Sequence, residues 1–403
     1  MHMRFVFLTP GYHPDLPGGA YRYAREVAER LAARGHEVVV VYPNPGINLP
    51  AHEMRQGVCL ERFPSPAGWW AANWWRKNRS AIGETSRWST TSSTPTLLVC
   101  HHPFFGRCLL RHRGPRVLLL HGPWHLEYRF SCQTARRGLL QRALQTNISL
   151  VMRRIERTTL RGVDRLLVVS DYVRSQLPAW FGRGLPNAQV IGAGVNSQAF
   201  RPCADRAAVR GQAGLNANTF LFLTVRRLDP RMGLLALIDG FGTVAQQHPK
   251  ARLWLAGDGP QRQALQDRIQ QAGLSNSVRL LGFVPETDLP ALYSAADATL
   301  MPSLDLEGFG LATVESLACG TPVLGSRTGG TAEILSPLSE ECLFAPGSSE
   351  ALRHCLSGVL TGTFELPSRA RCAEYAARRF TWDRPVEAME AAGSELVLGR
   401  NPR

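Results

Sequence analysis

Phe5-Val6-Phe7-Leu8, a turn-rich stretch from Thr9 to Gly19, a helical pattern from Ala20 to Arg34, and Glu37-Val38-Val39-Val40-Val41-Tyr42 decide the fold class. Ala24, Val27, Ala28 and Leu31 recur at helical spacing, so one face of that helix is apolar. Gly35-His36 stops it, and the following run reads as the next strand. Strand, glycine-bearing loop, helix and strand make one βαβ unit. Further short apolar runs at 97–100, 117–120 and 166–169 predict more parallel strands, with an Arg-rich helical stretch over 131–162.

The second half starts afresh. Phe220–Val225 reads as a strand, 226–233 as a loop and Leu234–Gln247 as a helix. Strands at 252–256, 278–281, 298–301 and 323–325 follow, with helices at 261–272 and near 286–296. The stretch 200–218 shows no strong period and marks the boundary. The 403 residues suit two domains. We expect domains at 1–200 and 201–378, then a closing helix and tail at 379–403 that includes Phe380-Thr381-Trp382-Asp383. Two α/β halves imply a cleft, with ligands at the C-terminal ends of the strands.

Composition narrows the function. There is no run of 18 apolar residues and no signal-peptide pattern at the N-terminus. The nine cysteines are scattered without a Cys-x-x-Cys pair, so neither a zinc site nor a disulfide framework is expected. Residues 1–200 hold 26 Lys+Arg against 11 Asp+Glu, while 201–403 hold 20 against 21. The first half therefore offers a field to an anionic partner. Nucleic acid has no motif support beyond that charge. A nicotinamide dehydrogenase would show Gly-x-Gly-x-x-Gly after an opening strand, and neither half does.

The stretch richest in chemistry is Glu307-Gly308-Phe309-Gly310-Leu311-Ala312-Thr313-Val314-Glu315. Its glycines permit close backbone approach to a ligand, and the helix beginning near Gly310 offers N–H groups to a phosphate. A loop carboxylate can grip sugar hydroxyls, and a carboxylate two turns on can hold a ribose diol. By themselves these residues fit equally well a kinked strand-to-helix turn with solvated glutamates.

The segment, with Ala318-Cys319-Gly320-Thr321-Pro322-Val323 and Gly329-Gly330-Thr331-Ala332-Glu333-Ile334 behind it, resembles the family 4 retaining glycosyltransferases. So do Arg226-Arg227-Leu228, Gly257-Asp258-Gly259-Pro260 and Leu280-Leu281-Gly282-Phe283-Val284. The resemblance runs in order from 220 to 335. It is thinner before that, at Gly18-Gly19, His121-Gly122-Pro123-Trp124, Val169-Ser170, Gly194-Val195-Asn196 and Phe200-Arg201-Pro202. It implies the GT-B fold: two Rossmann-like domains whose parallel sheets face across a cleft, with a C-terminal helix crossing back to the first domain.

The resemblance also implies roles. Glu307 would hold the donor sugar, with Gly308, Phe309, Gly310 and Leu311 lining the donor, and Glu315 would bind the ribose. Arg227 would neutralise the diphosphate, an Arg fork matching phosphate oxygens, and Gly19 would approach the same group. His121 would stand beside the reacting centre. His101 and His102, read from their place at another strand end, are expected to face the cleft on the acceptor side with Trp124. The family usually has a Lys five residues after the motif Arg, and here Met232 occupies that place. Arg231 is the expected substitute, with Arg226 another candidate. Retention, no cofactor and no metal are implied; Asp305-Leu306-Glu307 is the nearest approach to an Asp-x-Asp motif. The donor would be a UDP- or GDP-linked hexose.

The acceptor belongs to the first half. Trp69-Trp70 and Trp74-Trp75 precede Arg76, Lys77 and Arg79, and Arg136, Arg137, Arg142, Arg153, Arg154, Arg157 and Arg161 accompany Leu139, Leu140, Leu144, Ile148, Val151 and Ile155. Tryptophan beside cations suits a membrane interface or sugar stacking. The bland alternatives are a packed loop and a solvated face over a core. We expect a cytoplasmic enzyme, peripheral at the inner membrane face, with a lipid-linked or envelope-glycan acceptor. The rivals are a weak or inactive nucleotide-sugar-binding subunit and a same-fold epimerase. A phosphorylase would need pyridoxal phosphate on a lysine, and Lys77 and Lys250, the only lysines, lie in no fitting motif.

Overall fold

The computed structural model describes residues 1–46, 48–65, 70–90, 94–132 and 139–399. The chain divides into two units. One holds most of residues 1–193 and the chain from Trp382; the other holds Gly194–Thr381 and a short segment beginning at Glu127.

The first unit is built on strands β1 (Arg4–Leu8), β2 (Glu37–Pro43), β3 (His52–Arg55), β4 (Val58–Phe63), β5 (Thr96–Cys100), β6 (Arg116–Leu120), β7 (Arg165–Val168) and β8 (Ala188–Val190). Their order is β3-β4-β2-β1-β5-β6-β7-β8. Every neighbouring pair is parallel except β3 with β4. The helix Gly19–Ala33 buries Ala24, Val27, Ala28 and Leu31, the face its spacing predicts. The β3–β4 hairpin is not evident in the sequence. Its turn is Gln56-Gly57, with φ of 49° and 77°, instead of the stronger Asn-Gly or Asp-Gly signal.

The last helix, Asp383–Leu398, returns to this unit. Val386, Met389 and Ala392 are buried, and Glu390 meets Arg34 at 2.6 Å and His36 at 3.0 Å. Burial of the apolar face outweighs these ion pairs, of which the Arg34 one is solvent-exposed.

Of the helical stretch expected over 131–162, the described residues fall in the helices Trp124–Cys132 and Leu139–Arg161. Arg136 and Arg137 lie outside the described residues, as does Trp69, and the side chains of Trp70, Leu139 and Leu140 are likewise not described. On Leu139–Arg161 the apolar residues do not simply cover a core. Leu144, Leu150 and Val151 are 60%, 55% and 60% exposed, whereas Met152, Glu156, Thr159 and Leu160 are buried. On the helix Trp70–Thr90 the Trp74 indole N–H donates to the Phe104 carbonyl at 2.7 Å. Trp75 is exposed, with the Arg107 guanidinium 4.0 Å above its ring.

The second unit carries β9 (Phe220–Val225), β10 (Ala251–Ala256), β11 (Val278–Gly282), β12 (Ala298–Met301), β13 (Val323–Ser326) and β14 (Leu343–Phe344), all parallel, in the order β11-β10-β9-β12-β13-β14. A hydrophobic cluster fills each face of the sheet, one around Phe222, Ile238 and Phe241 and the other around Leu223, Tyr293 and Val314. The chain winds outward from β9 to β11, then restarts beside β9 with β12 and winds the other way. Ligands of such sheets bind where the order reverses, outside the carboxyl ends of the two central strands. A short helix, Arg206–Gln212, occupies the stretch that shows no strong period; the Asp205 carboxylate caps it by accepting from the Ala208 N–H at 2.9 Å.

Candidate active site

The reversal point of the second sheet gathers most of the residues expected at the donor. Arg226 and Arg227 follow β9 directly, and residues 302–310 run from β12 to the helix Leu311–Ala318. The glycine motifs around them mark places where loops lie backbone to backbone. A Cβ on Gly257 would fall 1.9 Å from the Arg226 carbonyl oxygen, and one on Gly330 would fall 2.3 Å from that of Phe309. The Gly330 N–H donates to the Glu307 carbonyl at 2.7 Å. These glycines therefore press the Arg226 and Glu307–Phe309 segments onto their neighbours, whatever ligand arrives.

Glu307 and Arg226 form a buried ion pair. Glu307 Oε2 accepts from Arg226 Nη2 at 2.5 Å and from Ser303 Oγ at 2.9 Å. The two side chains are 15% and 4% exposed. Burial works to raise the Glu307 carboxyl, yet the Arg226 and Arg231 charges and the Ser303 hydroxyl hold it below the usual carboxylate range. Burial lowers the Arg226 guanidinium in spite of Glu307. Its Nε and Nη1 are buried without a hydrogen-bond partner among the described residues.

The other expected donor residues differ in their surroundings. Arg227 is exposed, and its side chain makes no hydrogen bond or ion pair among the described residues. Arg231 fastens two loops, since its Nη1 donates to the Leu306 carbonyl at 3.1 Å and its carbonyl accepts from the Leu304 N–H at 2.8 Å. Met232 is 6% exposed and belongs to the hydrophobic cluster with Leu228 and Leu234. Glu315 is buried and accepts from the Tyr293 hydroxyl at 3.2 Å. Gly310, with φ of 95°, precedes the helix whose N-terminal end favours an anion.

The first unit holds a separate group of side chains at its own strand ends. His101 follows β5 and His121 follows β6. His121 Nε2 lies 3.4 Å from His101 Nδ1, with the rings stacked at 5.6 Å. Burial, with His102 nearby, pulls His121 down to about 3, and burial alone pulls His102 to about 4. Burial also takes His101 well below its ordinary value. All three rings are neutral at pH 7. His102 has a local duty, its Nδ1 accepting from the Phe104 N–H at 3.0 Å, and its ring meets Trp124 at 5.4 Å. Gly19 is the exposed first residue of its helix.

Two residues of this group are not singled out by any sequence pattern. Tyr23 turns its ring edge to His121 at 5.1 Å while its hydroxyl donates to the Gly192 carbonyl at 2.9 Å. Glu156, fully buried, accepts from the Trp124 N–H at 2.7 Å, the His125 N–H at 3.1 Å and lies 2.6 Å from His125 Nδ1. It thereby pins the turn after His121. Its only signal is a lone acid among arginines, which by itself specifies nothing. The same holds for Ser303 in the second unit.

Residues 17–199 match the model of Glycosyltransferase Family 4, and residues 205–379 that of Glycosyl transferases group 1. The chain belongs to the family 4 glycosyltransferases. Its fold is GT-B. This glycosyltransferase is 28% identical, over 98% of its length and 97% of the relative's, to a GDP-mannose-dependent alpha-(1-6)-phosphatidylinositol dimannoside mannosyltransferase of Mycobacterium tuberculosis. Sucrose-phosphate synthase from Thermosynechococcus elongatus is similar in structure, with a TM-score of 0.82 at 22% identity, covering 99% of this chain and 100% of that one. Alr3699/HepE of Anabaena, solved with UDP-glucose, gives a TM-score of 0.72 at 20% identity, covering 98% and 100%.

Proposed function

We propose that this glycosyltransferase moves a hexose from a UDP- or GDP-linked donor to a lipid-linked or envelope-glycan acceptor, with retention of configuration and without a metal. The observation that carries the donor half is the reversal point of the second sheet. There a buried carboxylate, Glu307, is paired with the buried Arg226 on a loop that leads into a helix N-terminus, and the exposed Arg227 follows Arg226 in the chain. A sugar diphosphate needs acceptors for its hydroxyls and positive charge for its leaving group. Glu307 offers the first, while Arg226, Arg227 and the N-terminal end of Leu311–Ala318 offer the second. Glu315 is assigned the ribose. In the first unit, His121 is neutral and serves the reacting sugar through hydrogen bonding and not as an acid; His101 orients it.

The relative's dependence on GDP-mannose and the UDP-glucose in the Anabaena structure support a nucleotide-sugar donor and leave both bases in play. The membrane half rests on the first unit. Leu144, Leu150 and Val151 face outward on a helix whose remaining charges are Arg142, Arg153, Arg154, Arg157 and Arg161, its one acid, Glu156, being buried. An anionic leaflet satisfies both the apolar strip and the charge. Among the described residues no helix is long and apolar enough to cross a membrane, so attachment would be peripheral.

A thermal-shift screen of nucleotide sugars tests the donor, because a ligand bound only by the folded state raises the midpoint. NMR of the product's anomeric proton tests retention, and an inverted anomer rejects that part. Failure to sediment with anionic vesicles at low salt rejects the membrane part.

A further inference from the structure

We propose that Arg226 takes over the diphosphate-binding charge that the family usually carries on lysine at the position of Met232, and that the same guanidinium bridges the diphosphate to the sugar-holding Glu307. The inference rests on the nucleotide-sugar reading above.

Four side chains compete for the role. Met232 carries no charge, and its side chain is packed into the hydrophobic cluster. Arg231 is engaged in holding the 303–307 loop through the Leu306 carbonyl. Arg227 already stands for the motif arginine. Arg226 remains, one residue past the central strand β9 and at the sheet's reversal point. Its Nη2 is committed to Glu307, but Nε and Nη1 are shielded from solvent and have no acceptor among the described residues. A buried guanidinium with two idle donors is unfavourable unless something supplies oxygens. At a strand-end anion site the matching acceptor is a phosphate, and each of the two idle nitrogens can donate to a separate oxygen. Glu307, bonded to Nη2, holds the guanidinium in place while Nε and Nη1 stay available. Sugar recognition and leaving-group stabilisation thus share one cation, whereas a lysine would supply a separate point charge.

The test is a binding cycle on the full chain, using nucleotides without sugar. Arg226→Gln alone strands a buried carboxylate and could prevent folding, so Glu307→Gln serves as the reference background. Titration calorimetry compares UDP and GDP with UMP and GMP. We expect Glu307→Gln to bind the diphosphate at least as well as the native chain. Arg226→Gln/Glu307→Gln should bind it about 30-fold more weakly, the effect of one charged hydrogen-bonding group. The monophosphate should change by less than about threefold. Equal diphosphate affinity in the two variants overturns the assignment to Arg226. Equal losses for diphosphate and monophosphate overturn it as well, since they place the arginine elsewhere on the nucleotide. If the native chain binds neither diphosphate, the donor reading itself fails, a result distinct from both.

Discussion

Replacing Glu307 with alanine should destabilise the second unit markedly, while glutamine should leave it largely intact. In Glu307→Ala the Arg226 guanidinium loses the acceptor of its Nη2, its only hydrogen bond among the described residues, and Ser303 loses its acceptor there as well. Arg226 is 4% exposed, so water does not replace the carboxylate without a rearrangement. Breaking a buried pair from one side costs about 3–5 kcal/mol. The lower end applies, because a long arginine side chain can swing toward solvent. For a unit of this size, about 3 kcal/mol corresponds to a fall of roughly 6–12 °C in the midpoint. Glutamine keeps oxygen at the same place and should lose only about 1 kcal/mol.

The sign of the pH dependence follows from Glu307 being held below the usual carboxylate range. Its contribution is present above the unfolded-state value and disappears as pH falls through the folded one. The gap between native chain and Glu307→Ala should therefore be full at pH 7 and shrink below about pH 4. Calorimetric scans at pH 7 and at about pH 3 measure both effects. A Glu307→Ala midpoint within about 1 °C of native at pH 7 would refute the claim that this pair is a buried, mutually dependent one.

Other outcomes follow from the same structure. With His121 held to about 3, kcat should show no histidine limb between pH 5 and pH 8, and an inflection near pH 6.5 that vanishes in His121→Asn would contradict this. Gly233→Ala places a Cβ 1.9 Å from the Pro302 carbonyl oxygen at φ of 69°, so urea unfolding should reveal a loss of about 2–4 kcal/mol. Leu144→Asp with Val151→Asp should cut binding to anionic vesicles by about tenfold or more while leaving the unfolding midpoint nearly unchanged, both residues being 60% exposed. Glu156→Ala removes three acceptor contacts behind the His121 turn and should lower kcat and stability together, with Glu156→Gln recovering part of each.

Much of the architecture was legible because it rests on local periodicity. The helix Leu234–Gln247 and the strand Ala298–Met301 stand where their patterns place them, and the apolar strands are uniform because both sheet faces are covered. The sequence by itself also determined the family, since the glycine motifs recur in order, and the shortage of cations at Met232. What those glycines do was decided only by the tertiary structure. Gly257 and Gly330 lie against Arg226 and Phe309, residues distant in the chain, and no local pattern reports such an approach. The pairing of Arg226 with Glu307 spans 81 residues, and that of Glu156 with Trp124 spans 32. Burial turned these charges from solvated into mutually dependent ones, and turned three histidines into neutral rings. The outward face of Leu144 and Val151 was likewise set by which side of the helix its neighbours Gly106–Arg111 and Asp171–Phe181 left uncovered. Charge and spacing are written in the chain, but partner and dielectric exist only once the strands have brought distant loops to one edge.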